Sequence, residues 1–217
     1  MRLLSRATPA VLLFAAIAGC SLPLPMLAVR ETLFDGRELE AWRSPGGGPA
    51  LWTRTDDGVV RAVAGAGRLV SVGQWADHRV HVEFRIPLAE AGGAVGGVFV
   101  HGRYQILIVD SFAQKPGPET CGALVGLKAP SRDMCRKPGE WQTLDVEFLA
   151  PRFDEHGNVY ENARITVIQN TSTIHDDVEL PGVTPGALDD FQVAKGPLML
   201  RDRTGLVEFR NVWVKSL

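Results

Sequence analysis

The chain is 217 residues long and nearly balanced in charge, with 23 Lys and Arg against 25 Asp and Glu. A net charge of -2 with interspersed signs lacks the basic footprint of a nucleic-acid-binding protein, so no nucleic acid is expected as a partner. Its 23 glycines and 14 prolines fit a fold of many turns rather than long helices.

Arg2 and Arg6 precede a short apolar run, Ala10 to Ala18, and Ile17-Ala18-Gly19-Cys20 supplies a small-residue cleavage site ending in cysteine. The run is too short to span a bilayer as a helix. Residues 1–19 resemble a bacterial lipoprotein signal, with Cys20 as the lipidated mature N-terminus; the alternative is an ordinary secretory signal with a coincidental cysteine. Ser21 after the cysteine resembles outer-membrane sorting, so the protein is expected in the bacterial cell envelope, lipid-anchored at the outer membrane, in the periplasm or at the surface. Residues 20–30, with Pro23 and Pro25, read as a tether. Residues 31–217 are one domain's worth of chain, enough for a sizeable core.

Helical periodicity is nearly absent, although Leu33 to Trp42 has room for a short helical turn. Strand signals recur instead. Leu51–Arg54, Val59–Ala64 and Arg68–Val72 are short, with Asp56-Asp57-Gly58 a turn between the first two. Arg79–Ile86 alternates, with Val80, Val82, Phe84 and Ile86 on the apolar side. After a Gly-rich loop, Gly97–Phe112 reads as one strand. Val98, Val100, Tyr104, Ile106 and Ile108 make its core face. Phe99, His101, Arg103, Gln105, Leu107 and Val109 make the other, which reads as the floor of a binding cleft. Gln142–Leu149, Ala163–Gln169, Leu198–Arg201 and Val207–Lys215 complete the set. Short strands at regular spacing predict an all-β fold, a jelly-roll β-sandwich with one concave face.

Cys121 and Cys135, if outside the cytoplasm, are permitted to form a disulfide; the alternative is two buried free thiols. No Cys-x-x-Cys or His-Glu-x-x-His spacing occurs, so no zinc site and no cofactor are expected. A structural Ca²⁺ stays open, because Asp and Asn are frequent in the loops while EF-hand spacing is absent.

Several segments together resemble a known family: LFDGRELEAWR, LWTRTDDGVV, VEFRIP, GVFVHGRYQILIVDSF, RKPGEWQTLDVEFLAPRFDEHG, IHDDVELPG, GPLMLRD and VEFRNVWV. In this order they are similar to the 3-keto-disaccharide hydrolase domain, a concanavalin A-like jelly roll. The resemblance implies a hydrolase or lyase that cleaves the glycosidic bond of a sugar oxidised to a ketone at carbon 3. The ketone acidifies the proton on carbon 2, so the group on carbon 1 can leave by β-elimination through an enediolate. Such a route needs a base, a cation or donor for the enolate oxygen, and an acid at the leaving oxygen. It does not need the paired carboxylates of ordinary glycoside hydrolysis.

Those needs select candidates. Arg103 suits the enolate oxygen, His101 a base or acid, and Asp110 an orienting carboxylate. Gln105 and the Trp141 platform are candidate sugar contacts, with His175, Arg201 and Asp202 at the rim. Each has a structural alternative: Asp110 as a turn cap, Trp141 as core, His175 as a loop residue, and Arg152 with Asp154 as an ion pair at a turn.

The chain departs from the family on the cleft face. Where members commonly read GRYEVQILDS it has GRYQILIVDS, so Gln105 replaces a carboxylate and Leu107 an amide. Val95 stands for the Asn of GNSG, Val125 for the Tyr of IYG, Gln169-Asn170-Thr171 for HNG, and Arg201-Asp202-Arg203-Thr204 for QDHG. Two functions therefore stand open: a 3-keto-glycoside-cleaving enzyme with changed specificity, or a non-catalytic carbohydrate-binding lipoprotein on the same scaffold.

Overall fold

The structure, a computed structural model, describes residues 29–63, 66–88 and 93–217. The leader, Cys20 and the tether as far as residue 28 lie outside the described residues. Strands are numbered in chain order. One sheet runs β13 (Ser172–Leu180), β12 (Ala163–Gln169), β9 (Gln142–Leu149), β6 (His78–Arg85), β15 (Glu208–Ser216), β4 (Val60–Ala62) and β3 (Trp52–Arg54), and β1 (Arg30–Phe34) also pairs with β15. The other runs β2 (Trp42–Arg43), β5 (Arg68–Ser71), β14 (Met199–Asp202), β7 (Val95–Val100) and β8 (Tyr104–Val109). A small hairpin joins β10 (Arg152–Phe153) to β11 (Val159–Glu161). All pairings in the two sheets are antiparallel. No α-helix occurs among the described residues.

Alternation builds the core. Val80, Val82 and Phe84 of β6, Leu144, Val146 and Phe148 of β9, and Ile165 and Val167 of β12 face Val98, Val100, Tyr104, Ile106 and Ile108 of β7 and β8 in one buried cluster. Each such side chain contributes about 1.5–3 kcal/mol by leaving water. This is the all-β jelly-roll sandwich expected from the sequence.

Three local expectations are corrected. Gly97–Phe112 is a hairpin, not one strand: β7 and β8 pair from Val95↔Val109 to Val100↔Tyr104. His101 and Gly102 turn the chain with left-handed φ of 54° and 65°, and the Arg103 amide donates to the Val100 carbonyl at 3.0 Å. That backbone twist suits a tight hairpin. The stretch expected to hold a helical turn instead begins in β1, where Thr32 and Phe34 pair with Trp213 and Val212. His175, read as a loop residue, lies in β13. A bulge there, with Asp177 at φ 44°, shifts the register between Ile165↔Val178 and Val167↔His175 and breaks the alternation that marks a strand.

Candidate functional site

The outer face of the five-stranded sheet is the face that the cleft reading points to. Register assembles it in rows. Arg43, Val70, Met199, Phe99 and Gln105 lie side by side across β2, β5, β14, β7 and β8. The next row is Arg68, Arg201, Gly97 and Leu107, and beyond it Val95 faces Val109. Arg203 follows β14, its amide donating to the Val95 carbonyl at 2.9 Å. The first row is mostly covered: Val70, Phe99 and Met199 form a small cluster with Leu188 of the β13–β14 loop. The open floor is therefore the second and third rows, with Gln105, only 5 % exposed, at their border with the first. Gly97 shapes it, because a Cβ there would meet Gln105 Nε2 at 2.6 Å. The missing side chain lets the amide lie over the floor.

Beside Gln105, at the β8 edge, lies a cleft of about 300 Å³ between Val125–Leu127 and Pro181–Pro185. Its walls are tied to the strand. The Val125 amide donates to the Gln105 carbonyl at 3.1 Å, and the Gln105 amide donates to Thr184 Oγ1 at 2.8 Å. Arg201 rests against Gly186 of the same loop. Burial, and then the charges of Arg68 and Arg203, lower the pKa of the Arg201 guanidinium from its ordinary value.

The other candidates do not converge on this floor. His101 turns into the core, where its ring stacks on His78 at 5.5 Å and packs on Phe148 at 4.5 Å. Its Nε2 donates to the Ala76 carbonyl at 3.2 Å, and burial lowers its pKa to about 4. Arg103 is buried and holds the β13–β14 loop. Its Nε donates to Asp189 Oδ1 at 2.9 Å and to the Phe191 carbonyl at 2.6 Å, Nη1 donates to the His101 carbonyl at 2.8 Å, and Nη2 pairs with Asp189 Oδ2. Asp110 accepts from the Phe112 amide at 3.3 Å, as a turn cap does. Asp202, 1 % exposed, accepts from the amides of Thr204, Gly205 and Val207 and from Thr204 Oγ1, all at 2.9 Å. It closes the β14–β15 turn. His175 is buried, and its Nε2 donates to the Gly122 carbonyl at 2.8 Å.

Trp141 stands with the other sheet. Its indole carries the guanidinium carbons of Arg210 and Arg85 at 3.9 and 4.7 Å. On that sheet's outer face Asp145 and Glu147 pair with His81 and Arg79 at 2.6 Å each. Arg152 and Asp154 do not pair with each other. Arg152 binds Asp77 at 2.6 Å, and Asp154 caps the β10–β11 turn through the His156 and Asn158 amides. Cys121 and Cys135 are buried free thiols, so the disulfide is not formed in this structure. They are neighbours: a hydrogen bond from Cys121 lowers the Cys135 pKa to about 7, and that bond with burial raises Cys121. Among the described residues no cluster of three His, Cys, Asp or Glu is arranged to hold a metal ion.

Arg68, Arg203 and Gly97 were not read as site residues from the sequence. The Arg-Asp-Arg departure from the family was a signal for Arg203, but Arg68 and Gly97 join the floor through strand register alone.

Fold and face together define a jelly-roll protein of the carbohydrate-active class. Over residues 30–215 the chain matches the 3-keto-alpha-glucoside-1,2-lyase-like domain, and it belongs to that family, as its motifs led one to expect. Among solved structures, it is similar to a candidate glycosyl hydrolase from Parabacteroides distasonis, with 28% identity, 87% of this chain and 84% of that one covered, and a TM-score of 0.75. Two further candidate glycosyl hydrolases from the same organism share the fold. One has 18% identity, coverage of 87% and 94% and a TM-score of 0.64; the other has 23% identity, coverage of 87% and 100% and a TM-score of 0.63. No curated protein matches the sequence significantly.

Proposed function

We propose that the protein is a carbohydrate-binding lipoprotein of the bacterial cell envelope, built on the scaffold of a 3-keto-glycoside-cleaving domain. Cys20 carries the lipid anchor. The sugar lies on the outer face of the five-stranded sheet, over Gln105, Gly97, Leu107 and Arg201. One observation carries this reading. His101 and Arg103, which the chemistry would need at a substrate, are buried, the first packed in the core with Nε2 on the Ala76 carbonyl and the second bound to the β13–β14 loop, while Asp110 caps a turn. The strand floor itself offers an amide and guanidinium groups, which bind sugar hydroxyls but do not abstract a proton near neutral pH.

Cleavage of a 3-keto-glycoside is the second reading, and family membership favours it. In it Arg201 takes the part of the enolate-stabilising cation that the motifs assign to Arg103. The two readings part in one experiment. The purified protein is titrated calorimetrically with 3-keto-trehalose and related 3-keto and unoxidised glycosides, and sugar release is followed in parallel. Saturable binding without turnover, weakened in Arg201→Gln, is the expected result. Release that disappears in Arg201→Gln establishes the enzyme instead. Neither binding nor release across the panel overturns both.

A further inference from the structure

The two sheets of the sandwich differ in how many of their arginines are paired. On the strands of the larger sheet Arg79, Arg85, Arg164 and Arg210 each hold a carboxylate, Glu147, Glu208, Asp177 and Glu83, at 2.5–2.6 Å, while Arg30, Arg54 and Arg61 hold none among the described residues. On the smaller sheet Arg43, Arg68, Arg201 and Arg203 hold none among the described residues. Arg68 and Arg201 are register partners on adjacent strands. Like charges directly opposite one another repel, and strand spacing of about 4.8 Å leaves them little room to part. The acid nearest in sequence, Asp202, is turned inward with its oxygens occupied by the β14–β15 turn.

An unneutralised row of guanidiniums, set beside an amide and the apolar Leu107, Val95 and Val109, matches a sugar chain that carries anions. The amide meets hydroxyls, the apolar strip meets ring faces, and guanidinium forks meet carboxylate or sulfate oxygens. We propose that this face selects an anionic glycan, bearing carboxylate or sulfate groups, through Arg68, Arg201 and Arg203. The proposal rests on the reading of this face as the glycan site and names the class of sugar it takes.

The test is a calorimetric titration of the purified protein with three oligosaccharides of equal length: neutral gluco-oligosaccharide, its glucuronate counterpart, and a sulfated form. Each is run at low and high salt. The expected result is binding of one or both anionic forms about tenfold tighter than the neutral one, weakening with salt. Which anionic arm binds separates carboxylate from sulfate recognition. Arg201→Gln loses about fivefold for the anionic sugar and Arg201→Lys less, while Arg68→Glu, which reverses the charge, loses more. Circular dichroism and melting temperature establish that each variant folds. Equal, salt-independent affinity for neutral and anionic sugars overturns the proposal and leaves the glycan site standing. No binding of any sugar overturns both. Preference for phosphatidylglycerol vesicles over every sugar, lost in Arg201→Gln, overturns it in favour of a membrane surface.

Discussion

Burial holds the His101 imidazole neutral, and it lowers the pKa of His78, stacked on it, and of His175 beneath Gly122 in the same direction. The sign of the consequence follows from proton counting. Below the ordinary histidine value of 6.5 the unfolded chain takes up protons that the folded chain refuses, until the pH reaches about 4 for His101. Stability is therefore full above pH 6.5 and falls through that window, by about 3 kcal/mol for His101 alone. The carboxylates with lowered pKa values, Asp77 and Glu83 among them, act in a lower window and do not mask the effect. Urea denaturation at pH 7 and pH 5 measures it. His101→Asn, which keeps a residue tolerant of left-handed φ, flattens the dependence; an unchanged slope counts against this origin. The thiol pair supports a second expectation. Cys135, with its pKa lowered to about 7, is the more readily ionised partner, and in an oxidising compartment it closes on Cys121. The intact mass then rises by two hydrogens on reduction, and the bond adds about 3 kcal/mol. Alkylation of both thiols in the unfolded, unreduced protein contradicts this.

The β7–β8 hairpin and the β13–β14 loop form one device. The buried Arg103 at the hairpin tip reaches across to Asp189, while the Leu188 amide donates to the Gly102 carbonyl at 3.0 Å and the Thr184 amide to the Arg103 carbonyl at 2.9 Å. The loop walls the candidate site because this clamp holds it there. Asp189→Ala removes the carboxylate but leaves the two carbonyls on Arg103, so it costs about 1.5–2 kcal/mol rather than the full penalty of an orphaned charge. Hydrogen exchange in residues 181–197 rises in this variant while exchange in β6 and β9 stays unchanged. If exchange rises everywhere alike, Asp189 stabilises the whole fold and not the loop. Sequence pattern reads these elements unevenly. β9 and β12 are legible to the residue, since their alternation is uninterrupted. β8 was joined to β7 because the parity of apolar residues continues across the turn. β13 was missed because its bulge resets the alternation.

Strand β1 closes the sandwich. It lies along Val212–Lys215 of β15, and its Leu33 and Phe34 are buried in the main core. A chain beginning at residue 29 is expected to unfold in one cooperative urea transition. One beginning at Asp35 loses at least about 3 kcal/mol from those two side chains, a large share of a typical domain's stability. Equal midpoints for the two chains contradict this closure. The fold class was already present in the order of strands and turns, because inward and outward alternation is a local property that each segment carries. The family was present too, in motifs spaced along 30–215. The site was not. Arg68, Gly97 and Arg201 become neighbours through cross-strand register, and His101 and Arg103 leave the face because a tight turn redirects them. Trp141 lies with the opposite sheet. Which side chains share a surface depends on how strands pair and where loops fold back, and those are long-range contacts that no single segment encodes.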